Sequence, residues 1–196
     1  MDFQTVGREL FLRGLVSSHG GNLSVREGEK LRITRHGAKL GLLTNADLVE
    51  TGLTGNDEAV KIASTELEVH RAIYLATSAR AIVHTHPPHV VALSFDRSEI
   101  VFLDMEGVYY LPVVPVIGRE LVMKHGAFAS EIAEGLINSK AVVVYGHGSF
   151  VAGQTLEEAY QLTTTLEQSC HILWLAQHPR MQIDPRMARK SKKGLV

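Results

Sequence analysis

Cysteine is almost missing from this chain. Cys170 is the only one in 196 residues, which excludes an internal disulfide and makes a reducing, cytoplasmic compartment the expectation. Cys170 sits in an apolar-periodic stretch and reads as core rather than nucleophile. Long apolar runs are missing too. Nothing approaches the roughly 18 residues a membrane span needs. The opening "MDFQTVGRELFLRGL" lacks the apolar centre of a secretory signal. A charge imbalance is also missing: 20 basic residues face 21 acidic ones, for a net charge of -1. That removes the basic field expected of a nucleic-acid or anionic-membrane binder. The one basic cluster is "PRMARKSKKGLV". It reads as part of a flexible, solvated tail over 181–196, behind a single domain over 1–180. No internal repeat or low-complexity linker divides that domain.

What is present is ordinary globular composition, 45% hydrophobic and 21% charged, with a clear alternation of elements. "FQTVGRELFLRGLV" places apolar residues at 3, 6, 10, 11 and 15, a helical period. "NLSVREGEKLRIT" reads as two strands turning at Glu27-Gly28-Glu29, and "ADLVETGLTG" as a third strand. "STELEVHRAIYLAT" predicts a helix capped by Ser64 or Thr65, with Leu67, Ala72, Ile73 and Ala76 in its buried stripe. "ARAIVHTH" is a strand. "PPHVVALSF" is a helix whose first turn tolerates Pro87 and Pro88. "RELVMKHGAFASEIAEGLIN" is one helix or two. "KAVVVYGHGSFVAG" is a hairpin turning at Gly146-His147-Gly148. "TLEEAYQLTTTLEQSCHILWLAQ" is a long helix opened by the Thr155–Glu158 capping-box pattern. Helices alternate with antiparallel hairpins, so the expected fold is α/β and layered, with a mixed sheet.

Histidine marks the candidate chemistry. His84 and His86 stand two apart at a strand end, so both point to one face. Two imidazoles there can grip one metal ion, although H-x-H alone is a weak signal. His147, between two glycines at a hairpin turn, supplies a third ring. Three histidines with an open position are the layout of a catalytic zinc. His89 falls in the following helix and reads as structural or supporting. Glu66 follows Ser64-Thr65 at a helix start. A carboxylate is favoured there by the dipole alone, or it is a general base near the metal. His70, one turn on, is placed to orient it, while Glu68 faces solvent. Three segments are suited to cradling phosphate. "HGGNLS" offers Gly20, Gly21, Asn22 and Ser24, "TRHG" offers Thr34 and Gly37, and Ser64-Thr65 stands at a helix N-terminus.

Taken together, "GGNLSVR", "ITRHG", "STELEVH", "IVHTHPPH" and "GHGSFVAG" resemble the class II aldolase/adducin-head family. Within it they are similar to the fuculose-1-phosphate aldolase and ribulose-5-phosphate 4-epimerase group. The resemblance covers residues 3–178 and implies a three-layer α/β/α sandwich with an antiparallel-rich central sheet. It implies one zinc ion per chain on His84, His86 and His147, with Glu66 as the catalytic carboxylate. Gly21, Asn22, Gly37, Ser64 and Thr65 become phosphate ligands by the same resemblance. It further implies a fourfold-symmetric homotetramer with active sites at subunit interfaces. The substrate would be a small sugar phosphate, cleaved through a metal-stabilised enediolate, with no nucleic-acid or membrane partner.

The sequence departs from the family pattern in two places. "TRHG" replaces the usual T-P-[ST]-G, adding Arg35 and His36 at the phosphate loop. The tyrosine acid that family aldolases draw from a neighbouring subunit corresponds to Tyr109 or Tyr110 in "FLDMEGVYYLPVVPV", or its place is taken by Asp104 or Glu106. No tyrosine follows Tyr160. Epimerase, dehydratase and decarboxylase chemistry on a sugar phosphate or sugar acid use the same metal site and stay open. A non-catalytic, adducin-like binding module predicts lost ligands, whereas all three histidines and the glutamate are present.

Overall fold

The computed structural model describes residues 1–119 and 128–177. The basic tail over 181–196 and part of the stretch expected to form one or two helices, residues 120–127, lie outside the described residues. Eight strands form one sheet in the order β3-β2-β1-β4-β8-β7-β6-β5. They are β1 (Asn22–Glu27), β2 (Lys30–Thr34), β3 (Leu48–Gly52), β4 (Ala81–Thr85), β5 (Glu99–Ile100), β6 (Val114–Ile117), β7 (Ala141–Val144) and β8 (Gly148–Gly153). Every pairing is antiparallel except β6–β7. The sheet is therefore mixed and antiparallel-rich, as expected. The helices are α1 (Phe3–Leu12), α2 (Leu67–Ala76), α3 (Pro88–Ser94), α4 (Met105–Tyr110), α5 (Phe128–Gly135) and α6 (Leu156–Gln177).

The pleat explains the layers. Side chains of β4 alternate: Ile82 packs with α2 and α5 residues such as Ile73 and Ile132. Ala81 and Val83 join α1 residues Val6 and Leu10 on the other face. Strand β7 does the same, sending Val142 and Val144 one way and Ala141 and Val143 the other. Both faces are covered by helices, which makes the α/β/α sandwich. All five β4 residues are buried, matching the unbroken apolar run expected of a central strand. Cys170 is fully buried in the α6 core, and burial raises its thiol pKa, so it is inert.

Several details of the helices differ from the sequence expectation. Helix α2 begins at Leu67, with Glu66 at the cap position. Ser64 does not cap the helix proper; its hydroxyl accepts from the Glu66 N–H at 3.3 Å. Ala76 is exposed and Ala72 only half-buried, because the buried face turns instead through Leu67, Val69, His70, Arg71, Ile73 and Tyr74. Phe11 is 45% exposed at the end of α1. At the start of α6 the Thr155 hydroxyl accepts from Glu158 N–H at 3.0 Å. The Glu158 carboxylate reaches Gln154 N–H at 2.8 Å rather than completing a box on Thr155. Helix α4 and the short β5–β6 pair carry no signal the periodicity reading detects.

Candidate active site

Strand β4 delivers His84 and then His86 to the end of the sheet. Its two neighbours, β1 and β8, bring Asn22 and the hairpin around His147 alongside. Close approach depends on glycine. Gly21 has φ +77, and a Cβ there would stand 2.7 Å from the His84 carbonyl. A Cβ on Gly148 would collide with the Thr85 carbonyl. Any larger residue would push the loop or hairpin away from β4.

His84, His86 and His147 each present one ring nitrogen to a common point, all within 4.8 Å of one another. The ring centroids are 4.7 to 5.0 Å apart. His84 is fixed in one tautomer. Its Nδ1 lies 3.0 Å from the Ser149 carbonyl, which can only accept, so Nδ1 carries the proton. Its Nε2 lone pair therefore faces the cluster. That lone pair lies 2.9 Å from His86 Nε2 and 3.2 Å from Glu66 Oε2. Two acceptors at 3.2 Å repel unless a cation or proton lies between them, so the donor set fits a divalent ion. Burial lowers the pKa of all three rings, His84 furthest and His86 to about 4. All three are neutral near pH 7, as metal ligands must be. The His84–Glu66 contact is consequently not an ion pair.

Glu66 is mostly buried at the start of α2, with Oε1 3.8 Å from His147 Nε2. Burial raises its pKa, partly offset by a hydrogen bond from Asn22 Nδ2 at 2.7 Å. A carboxyl moved toward neutrality is suited to exchanging a proton.

One cavity of about 420 Å³ collects nearly all of the sequence candidates. Its walls include Gly21, Asn22, Gly37, Ser64, Thr65, Glu66 and the three histidines, together with His19, Arg35, His36 and Ala38. Two phosphate candidates are placed elsewhere. Ser24 is fully buried, bonded to His70 and Tyr74. Thr34 is buried too, its hydroxyl accepting from Leu23 N–H at 3.3 Å. Both lie on strands at positions facing the core, which "polar residue near a turn" does not reveal. Arg35 is partly neutralised, its Nε 2.8 Å from Asp47 Oδ1, while His36 stays exposed at the cavity mouth.

Tyr109 and Tyr110 do not line the cavity of their own chain. Tyr109 is 79% exposed, and Tyr110 packs against the α6 core. Asp104 caps α4 through Gly107 N–H at 2.9 Å and accepts from Ser169 Oγ at 2.9 Å; Glu106 is exposed in the first turn of the same helix. His89 is structural: its Nδ1 lies 2.7 Å from Glu167, whose carboxylate also accepts from the first N–H groups of α3. Glu68 is 71% exposed, paired with Arg71.

The chain is similar to several known proteins over most of its length. The crystal structure of L-fuculose-1-phosphate aldolase from Thermus thermophilus matches with a TM-score of 0.82 and 41% identity. That match spans 91% of this chain and 96% of that one. The L-fuculose phosphate aldolase of Methanocaldococcus jannaschii is 31% identical over 176 residues, 88% of this chain and 94% of that protein. The 3-oxo-tetronate 4-phosphate decarboxylase of Haemophilus influenzae is 28% identical over 187 residues, 90% of this chain and 87% of that protein. Residues 2–174 match the class II aldolase and adducin N-terminal domain, and the chain belongs to that family.

Proposed function

We propose that this protein is a zinc-dependent class II aldolase that cleaves a phosphorylated ketose, similar to the fuculose-phosphate aldolases. The observation that carries this reading is the meeting of three neutral imidazoles with the Glu66 carboxylate, 3.2 Å from His84, in one cavity that Gly21, Asn22, Gly37, Ser64 and Thr65 also line. His84, His86 and His147 would hold the zinc ion, which supplies Lewis-acid polarisation of the substrate's carbonyl and adjacent hydroxyl oxygens.

The chain's own residues supply the rest. In a retro-aldol step the bond between the carbon bearing the hydroxyl and the next carbon breaks. The hydroxyl proton leaves, an aldehyde forms, and the electron pair stays on the other fragment as an enediolate. Glu66 returns a proton to that carbon, and removes it in the condensation direction. Ser64-Thr65, in the turn that leads into α2, together with Gly21, Asn22 and Gly37, anchors the substrate phosphate and so fixes which carbon meets Glu66. A second acid–base group serves the aldehyde oxygen. Tyr109 or Tyr110 of a neighbouring subunit fills this role in a homotetramer with interface sites. Supporting this, Tyr109 stands beside the exposed apolar residues Leu103, Met105 and Val108, at 68%, 89% and 51% exposure, a surface suited to burial against another copy.

The test is a cleavage screen of the zinc-loaded protein against phosphorylated ketoses and aldonates, L-fuculose 1-phosphate first. Release of dihydroxyacetone phosphate and an aldehyde is expected. Carbon dioxide from a 3-oxo acid phosphate, or epimerisation without cleavage, would replace the aldolase reading with a different reaction on the same site.

A further inference from the structure

Behind the cavity, a set of polar groups runs into the core. Glu66, His70 and Tyr74 stand four residues apart at the start and along α2, and Asn22 and Ser24 stand two apart on the facing side of β1. Four helical residues rise about 6 Å, and two strand residues advance about 6.7 Å, so the two rows stay in step. The contacts alternate between them. Tyr74 OH lies 2.7 Å from Ser24 Oγ, and Ser24 Oγ lies 2.6 Å from His70 Nδ1. His70 Nε2 lies 2.5 Å from Asn22 Oδ1, and Asn22 Nδ2 lies 2.7 Å from Glu66 Oε2. His70 and Ser24 are fully buried, and Tyr74 is 1% exposed.

With Glu66 ionised, each donor and acceptor follows from the one before it. The Glu66 carboxylate accepts, so Asn22 donates to it and turns its carbonyl to His70. The carbonyl accepts only, so His70 carries its proton on Nε2. Burial holds the ring neutral, with a pKa of about 3, so Nδ1 is an acceptor and Ser24 must donate to it. The Ser24 oxygen then accepts from the Tyr74 hydroxyl. Every hydrogen bond points toward the cavity.

We propose that Tyr74, Ser24 and His70 are positioning residues that lock the Asn22 amide with its N–H toward Glu66, and so hold the carboxylate over the three-histidine cluster. The proposal rests on the reading of Glu66 as the acid–base group. Stability alone does not call for such a chain. Replacing satisfied polar partners by apolar groups of the same shape is close to neutral, and an apolar helix–strand seam would pack as well. What the chain uniquely supplies is direction. Without the Ser24 donor, His70 is free to move its proton to Nδ1. Its Nε2 lone pair would then oppose the Asn22 carbonyl, the amide would rotate, and an oxygen would face the Glu66 carboxylate.

The test combines nitrogen NMR of histidine-labelled protein with kinetics of proton exchange on dihydroxyacetone phosphate. In the wild type His70 should be the neutral Nε2–H tautomer at pH 7, with or without zinc. Ser24→Ala should lose that fixed tautomer. Ser24→Ala and His70→Leu should slow exchange at saturation by roughly 10–100-fold, the scale seen when a supporting hydrogen-bond partner is removed. KM should stay within about threefold by the same argument, and zinc content should not change. His70→Gln, whose amide can still donate to Asn22, should recover most of the rate. A wild-type Nδ1–H tautomer overturns the proposal, as do near-wild-type rates in both Ser24→Ala and His70→Leu. If those two do not fold, Tyr74→Phe carries the kinetic test: a loss of about threefold or more supports the chain, and a wild-type rate overturns it. Wild-type exchange in Glu66→Gln would remove the role assigned to Glu66, while the His70 tautomer still reports on the chain itself.

Discussion

His84 Nδ1 donates to the Ser149 carbonyl across the β4–β8 pair, at 3.0 Å. One hydrogen bond to the neighbouring strand thus decides which nitrogen of His84 faces the cavity. Only the β4–β8 register, which sets His84 opposite Phe150 and Thr85 opposite Ser149, places that carbonyl there.

Metal content follows directly. The purified protein should carry about one divalent ion per chain, zinc by its three-imidazole donor set. His84→Ala and His147→Ala should each lose it in elemental analysis. Full retention in both variants would mean the cluster is not the metal site.

Glu66→Gln keeps the size of the side chain and removes its charge. Proton exchange at the substrate carbon should slow by roughly 10²–10⁴-fold, the range for a positioned general base. Zinc stays bound, because no histidine has changed. Exchange at the normal rate would reduce Glu66 to a helix-start charge.

Phosphate recognition is measured by titration calorimetry with inorganic phosphate and phosphoglycolate. Thr65→Ala should weaken both by about 1–2 kcal/mol, the cost of one hydrogen bond to a charged group. Asn22→Asp should do more harm, since it places a second carboxylate 2.7 Å from Glu66 and beside the ligand phosphate. If both variants bind like the wild type, or a non-phosphorylated hydroxy acid binds equally well, the cradle is wrongly assigned.

Acid should destabilise the fold through His70. The unfolded chain takes up this proton near pH 6.5, but the folded chain resists until about 3. Between those values the unfolded state binds more protons, so stability falls as pH falls. The slope from this one group is about 1.4 kcal/mol per pH unit. Denaturant melts of the apo protein between pH 7 and pH 4 give the total slope, to which the buried His84, His86 and His147 also contribute, and His70→Gln should reduce it by about 1.4 kcal/mol per pH unit. Equal slopes in both would show that His70 protonates freely in the fold.

Assembly is read by light scattering. The proposed homotetramer should give a mass near four times the 21.5 kDa of one chain. A fully active monomer would exclude a tyrosine contributed by a partner.

The sequence exposes the parts of this site that depend on local rules. H-x-H at a strand end, a histidine between hairpin glycines and a carboxylate after Ser-Thr are each legible from periodicity and turn chemistry. Those residues meet in the cavity, and the central strands fall where the apolar runs place them. What stays hidden is pairing across the sheet. Ser24 and Thr34, suited by type to a phosphate cradle, prove to be turned into the core by β1 and β2. Tyr74 looks like ordinary core until the strand opposite it proves to carry a serine. The four-residue repeat Glu66, His70, Tyr74 facing the two-residue repeat Asn22, Ser24 is a detectable signal, but only once helix and strand are known to be neighbours. Helix α4 is short and stripe-free, and its ends are set by the Asp104 cap and tertiary packing.

The sheet order also sets a timetable. His84 and His86 lie on β4 or just past its end, but the third imidazole comes from the turn leading into β8, which pairs with β4 on one side and β7 on the other. A growing chain therefore presents a two-coordinate, weakly holding pair long before the third ring is synthesised. Non-local strand pairing of this kind is slow to form. The three-imidazole cluster is complete only when β8 pairs with β4, so an ion held by all three rings must wait for that pairing. A chain stalled before that pairing would offer two imidazoles instead of three, and a divalent ion bound there should pass to a chelator more readily than from the finished protein.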